Sequence, residues 1–136
     1  MSGRVIWVTG LSGSGKTTLA RALLPGLPQP RLLLDGDQMR EALEPLGRGY
    51  GPEERFRLAS TYARLCRLTA GQGLNVVCAT ISMFHEVRDW NRANLPGYFE
   101  VYLAASLEEC RAGDFKNVYG NQNEAPNQVV GLDLAP

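Results

Sequence analysis

Gly10-Leu11-Ser12-Gly13-Ser14-Gly15-Lys16-Thr17 fits G-x-x-x-x-G-K-[ST], the pattern of a phosphate-binding loop. The segment before it, Arg4 to Thr9, holds Val5-Ile6-Trp7-Val8 and predicts a strand apolar on both faces, as at the centre of a parallel sheet. The segment after it, Thr18 to Leu24, reads as a helix. In that context the N–H groups of residues 12–16 can curl around an anion, and the helix N-terminus adds partial positive charge. Lys16 is expected to reach the β- and γ-phosphates, and the Thr17 hydroxyl to ligate Mg²⁺. Gly10, Ser12, Gly13, Ser14, Gly15, Lys16, Thr17 and Thr18 are therefore the expected ATP-binding residues. The loop specifies nucleotide and Mg²⁺; it does not specify an acceptor.

The totals narrow the class. A chain of 136 residues suits one domain with a single core. Hydrophobic content of 44% and charged content of 21% are those of an ordinary globular chain. The formal net charge is zero, which argues against a surface for nucleic acid or membrane driven by bulk charge. No apolar run reaches the length of a membrane span. Met1-Ser2-Gly3-Arg4 leads straight into a strand, so no leader is expected. Cys66, Cys78 and Cys110 are odd in number and widely spaced, which predicts reduced thiols in a cytoplasmic protein.

Along the chain, strands and helices alternate. Three prolines and a glycine between Pro25 and Pro30 make a loop, followed by a strand at Arg31-Leu32-Leu33-Leu34 ending in Asp35-Gly36-Asp37. A helix is expected from Gln38 to Leu43, with Asp37 able to cap it. Pro52, Glu53 and Glu54 mark the start of a helix running to about Gln72, with Ala59, Tyr62, Ala63, Cys66 and Ala70 on its core face. Leu74 to Thr80 is a third strand, Ile81 to His85 its exit loop, and Glu86 to Asn94 a helix. Tyr98 to Leu103 is a fourth strand and Ser106 to Ala112 a short helix, before a polar segment from Gly113 to Asn127. The alternation predicts a three-layer α/β fold of the P-loop NTPase type, a central parallel sheet flanked by helices. Ligands of such sheets sit at the carboxyl ends of the strands, which brings the loop, Asp35, Asp37 and Ser82 to one edge.

Two carboxylates facing a phosphate loop suit two tasks. One can hold the water shell of Mg²⁺, and the other can take a proton from a substrate hydroxyl. Asp35 is read as the metal-side group and Asp37 as the base; the structural alternative makes Asp37 only a helix cap and Asp35 only a turn residue. His85 is read as a loop histidine without a role, because phosphoryl transfer depends on positioning and electrostatics more than on a histidine base. Phe84, Trp90 and Tyr98 are read as packing residues.

Taken together, these segments resemble the adenylylsulfate kinases. The resemblance rests on Gly10 to Thr18, on Leu34-Asp35-Gly36-Asp37 with Arg40, on Gly49-Tyr50 with Arg55, on Ala79-Thr80-Ile81-Ser82, on Asp114 to Tyr119 and on Gly131-Leu132-Asp133. It implies transfer of the γ-phosphate of ATP to the 3′-hydroxyl of adenylylsulfate, a step of sulfate assimilation. It implies catalytic roles for Lys16 and Asp37, and an acceptor site of Asp35, Arg40, Tyr50, Arg55, Ile81 and Ser82. Lys116 would reach over ATP from a lid spanning residues 113–130. A homodimer is compatible with the resemblance. The departures fall mainly on the acceptor side. Leu58 stands where the family has Asn; Ser60 and Thr61 replace arginines; and Met83-Phe84-His85 replaces Pro, an aromatic and Arg. Gly113-Asp114 replaces the lid's Arg-Asp, Val129 or Val130 stands for an aromatic clamp, and the chain stops at Pro136, which reads as a short version of the family domain. Two alternatives follow: a related kinase of another nucleotide-linked acceptor, such as a cytidine diphosphate derivative, or a catalytically weak ATP-binding regulatory module.

Overall fold

The computed structural model describes residues 2–11, 13–45, 49, 51–82 and 84–104. Among these, strands and helices follow one another as β1 (Val5–Gly10), α1 (Lys16–Leu23), β2 (Arg31–Asp35), α2 (Gly36–Ala42), α3 (Pro52–Gly71), β3 (Asn75–Thr80), α4 (His85–Asn94) and β4 (Phe99–Leu103). The strands form one sheet in the order β2-β3-β1-β4, and every pairing is parallel. Parallel neighbours need long crossovers, and the helices supply them. The sheet flanked by helices is the α/β architecture expected. The short helix at Ser106–Ala112, Cys110 and the segments 113–130 and 131–133 lie outside the described residues.

Alternation along the central strands divides the interior in two. Val5 and Trp7 of β1 and Val76 and Cys78 of β3 pack with Leu58, Tyr62, Cys66 and Val87 from α3 and α4. Val8 of β1 and Val77 and Ala79 of β3 pack on the other face with Ala20 of α1. Each large apolar side chain so buried is worth about 1.5–3 kcal/mol. All five residues expected on the core face of α3 are buried, and Phe84, Trp90 and Tyr98 pack against that core. Cys66 and Cys78 are free and buried. Contact with Cys66, then burial, pushes the Cys78 thiol well above its ordinary range.

Two local expectations are corrected. The second helix begins at Gly36, and its cap is Asp35, whose Oδ1 accepts from the Asp37 N–H at 2.9 Å. Asp37 thus lies within the first turn, where the helix dipole favours its charge. His85 is not a loop residue. It opens α4, and its Nδ1 pairs with Nη2 of the buried Arg88 at 2.8 Å. The far end of α4 is fastened to β4. Asn91 Nδ2 donates to the Tyr98 hydroxyl, which donates to Glu100 at 2.8 Å, and Arg92 donates to the other Glu100 oxygen at 2.7 Å. Burial raises the Tyr98 phenol above its usual value, so it stays protonated and donates.

Candidate active site

The carboxyl ends of β1, β2 and β3 bring the candidate residues together. β1 ends at Gly10 and α1 starts at Lys16, so only five residues link strand to helix. Gly15 has φ of +96°, a left-handed conformation that disfavours a side chain even though open space surrounds the position. The Ser14 N–H bonds the Leu11 carbonyl at 3.1 Å, and the Leu19 N–H bonds the Gly15 carbonyl at 3.0 Å, fixing the curl and the first helical turn. Lys16 Nζ donates to the Leu11 carbonyl at 2.8 Å, so the ammonium folds back over the loop. Thr17 and Thr18 follow in the first turn of α1, while Ser12 lies outside the described residues.

β2 delivers Asp35 beside this loop. The Thr17 hydroxyl donates to Asp35 Oδ2 at 3.3 Å, while the other carboxylate oxygen caps α2. Two hard oxygens on neighbouring elements suit Mg²⁺, which keeps several waters and takes few protein ligands. Gly36 makes the approach of β2 to β3 close. A Cβ there would stand 3.1 Å from the Ala79 carbonyl oxygen and 3.5 Å from Thr80 Oγ1. The Tyr62 hydroxyl reaches the Gly36 carbonyl at 3.4 Å, so a residue read as core also touches the Asp35-Gly36-Asp37 turn.

The acceptor candidates lie on the α3 side. Arg40 of α2 donates to the Gly49 carbonyl at 2.8 Å, which ties α2 to the segment before α3. Arg55 sits in the first turn of α3, only 4% exposed. Burying a guanidinium is costly unless its donors and charge are matched, so this is no ordinary solvated arginine. Ile81 and Ser82 leave β3 at the same edge. Ser82 is buried, and its Oγ has no hydrogen-bond partner among the described residues. Tyr50 and Lys116 lie outside the described residues. Nearby, a groove of about 620 Å³ runs between α3 and α4, lined by Phe56, Arg57, Ser60, Thr61, Arg64 and Phe84. Phe56 and Phe84 meet edge to face at 5.4 Å there. The residues that sequence reasoning left out of the site are Tyr62, Thr9 and Thr80. Each looks like an ordinary buried residue of a helix or strand, and only the fold brings it to the edge.

A parallel sheet, a glycine loop entering a helix at Lys-Thr and a carboxylate against that threonine define a P-loop nucleotide-binding fold. The family model described as adenylylsulphate kinase matches residues 2–134. The chain belongs to that family. It is 37% identical to the cytidine diphosphoramidate kinase of Campylobacter jejuni over 134 residues, covering 96% of this chain and 78% of that protein. It is 40% identical to an adenylyl-sulfate kinase of Paraburkholderia xenovorans over 121 residues, covering 86% of this chain and 67% of that protein. Among solved structures, the Mycobacterium tuberculosis APS kinase CysC in complex with AMPPNP and APS superposes with a TM-score of 0.76 at 30% identity. That match covers 92% of this chain and 76% of CysC. Among the described residues no helix is long and apolar enough to cross a membrane.

Proposed function

We propose that this protein transfers the γ-phosphate of ATP to the 3′-hydroxyl of adenylylsulfate. The observation that carries the transfer chemistry is the meeting of the phosphate loop and the acidic turn at one sheet edge, with Thr17 Oγ1 3.3 Å from Asp35 Oδ2; adenylylsulfate as the acceptor is supported by the likeness to adenylyl-sulfate kinases. Lys16 and the loop amides of Gly13, Ser14 and Gly15 hold the phosphates, with Gly10, Ser12 and Thr18 shaping the nest. Thr17 and Asp35 are the residues that would hold Mg²⁺, directly or through its waters, and the ion would offset charge on the β- and γ-oxygens. Asp37, two residues beyond the cap, orients the acceptor hydroxyl and accepts its proton as the oxygen attacks phosphorus. Arg40 and Arg55 offer planar donor forks to the acceptor's anionic bridge. Ile81 and Ser82 line the pocket, and the family resemblance adds Tyr50 for the base and Lys116 for the ATP phosphates, both outside the described residues. The chain acts as one domain in the cytoplasm, and a homodimer is the assembly to look for by light scattering.

A second reading keeps the chemistry and changes the acceptor to cytidine diphosphoramidate. It is favoured by the likeness to the Campylobacter kinase across 96% of this chain. One experiment separates the two. Purified protein is incubated with Mg·ATP and each acceptor, and products are weighed by mass spectrometry. A gain of one phosphate on adenylylsulfate alone supports the first reading, and a gain on the cytidine compound alone replaces it with the second. ATP binding without transfer to either supports a regulatory module.

A further inference from the structure

The side chains of Thr9 and Thr80 extend the core stripe of their strands by one more alternate position. Val5 and Trp7 precede Thr9 on β1, Val76 and Cys78 precede Thr80 on β3, and Thr9 and Thr80 are register partners. Both are buried, Thr9 completely. A threonine there fits the sheet as valine would, yet it carries a hydroxyl into a site that must satisfy it. Both hydroxyls find the same residue. Thr9 Oγ1 donates to the Ser82 carbonyl at 2.8 Å, a short bond across 73 positions of sequence. Thr80 Oγ1 accepts from the Ser82 N–H at 3.3 Å, a longer and weaker contact. Ser82 is thus gripped through its backbone from two strands, while its own hydroxyl makes no hydrogen bond among the described residues.

We propose that Thr9 is a positioning residue for the acceptor: from the strand that enters the phosphate loop, its hydroxyl fixes the Ser82 carbonyl and thereby sets the Ile81-Ser82 segment. The inference rests on the reading of Ile81-Ser82 as acceptor-lining. It goes beyond that reading by making β1 serve both substrates. One residue after Thr9, Gly10 begins the nucleotide loop; through Thr9 the same strand end reaches the exit of β3. The bond is fully buried, so its loss leaves a desolvated carbonyl that the segment can satisfy only by shifting.

Thr9→Val keeps the volume and removes the donor, and Thr9→Ser restores it. Each variant is assayed with Mg·ATP and both candidate acceptors, and hydrogen exchange is followed over residues 80–84 and over the phosphate loop. The expected result for Thr9→Val is a rise of about tenfold in acceptor KM, with ATP KM within about twofold. Exchange should quicken at 80–84 and not in the loop, and Thr9→Ser should return both readouts. Thr80→Val, which removes the weaker bond, should give the same split at smaller size. It carries the test if Thr9→Val does not fold. The proposal is overturned if both KM values rise together, if neither the acceptor KM nor exchange at 80–84 changes, or if Thr9→Ser behaves like Thr9→Val. If the wild type phosphorylates neither acceptor, the proposed function fails by itself. Exchange at 80–84 then decides alone: faster in Thr9→Val supports the grip on Ser82, unchanged overturns it.

Discussion

The phosphate loop and the proposed acceptor edge lie side by side at the ends of the same strands, but they are made in different ways. The loop is contiguous: residues 10–17 contain the glycines, lysine and threonine it needs, and its internal bonds span a few residues. The proposed acceptor edge is assembled from β1, β2, β3, α2 and α3, through contacts such as Thr9 to Ser82 and Tyr62 to Gly36. A contiguous site tolerates change elsewhere in the chain, because its geometry is local. A dispersed site can change its specificity by single replacements in any of several elements, with the chemistry left in place. That division matches a chain alike to kinases of two different acceptors.

Substitutions can break this comparison or sharpen it. Lys16→Ala strikes the loop and should lower transfer about 10²–10³-fold with every acceptor, read as initial rates of ADP release. An unchanged rate would remove the loop from the mechanism. Asp37→Asn strikes the acceptor side and should lower kcat about a hundredfold while ATP affinity, measured by calorimetry, stays within a factor of two. Equal loss of ATP affinity would erase the boundary between the two regions. Arg55→Lys keeps the charge and loses the fork, so acceptor KM should rise about tenfold with kcat little changed. Gly36→Ala forces a methyl to within 3.1 Å of the Ala79 carbonyl oxygen, and should cost about 1–2 kcal/mol in denaturant unfolding. The smallest effect concerns pH. The Cys78 thiol is raised in the folded state, so folding favours its protonated form. That stability is complete below the ordinary thiol range and fades as pH climbs from there toward the folded value. Cys78→Ala should flatten that decline in a series of unfolding curves.

The contiguous half was also the legible half. A pattern of eight residues between an apolar run and a helical one identified the loop, and the five buried positions on α3 followed from periodicity alone. The cap of α2 is ambiguous in the sequence because Asp35-Gly36-Asp37 offers two acids two residues apart, and glycine between them can be outside the helix or its first residue. Its close approach to Ala79 and Thr80 favours the second arrangement, and no local rule contains that contact. Tyr62, Thr9 and Thr80 were invisible as site residues for a related reason. In sequence they are a helix-core aromatic and two strand formers, and their hydroxyls acquire meaning only through partners 26, 73 and 2 residues away. α4 starts at His85 although Phe84 at its cap makes no capping side-chain bond, so no capping residue marks that start in the sequence.

The strand order has a consequence for how the molecule comes into being. β1 sits between β3 and β4, with Val5 opposite Val76 and Ile6 opposite Phe99, so among the described strands β1 is flanked by the two that lie farthest beyond it in the chain. A nascent chain that has not yet reached Asn75 leaves both borders of β1 bare and the loop behind it unsupported. Competence to hold a nucleotide should therefore wait for β3 and β4 and arrive abruptly, although the residues proposed to hold the phosphates precede both strands in the chain.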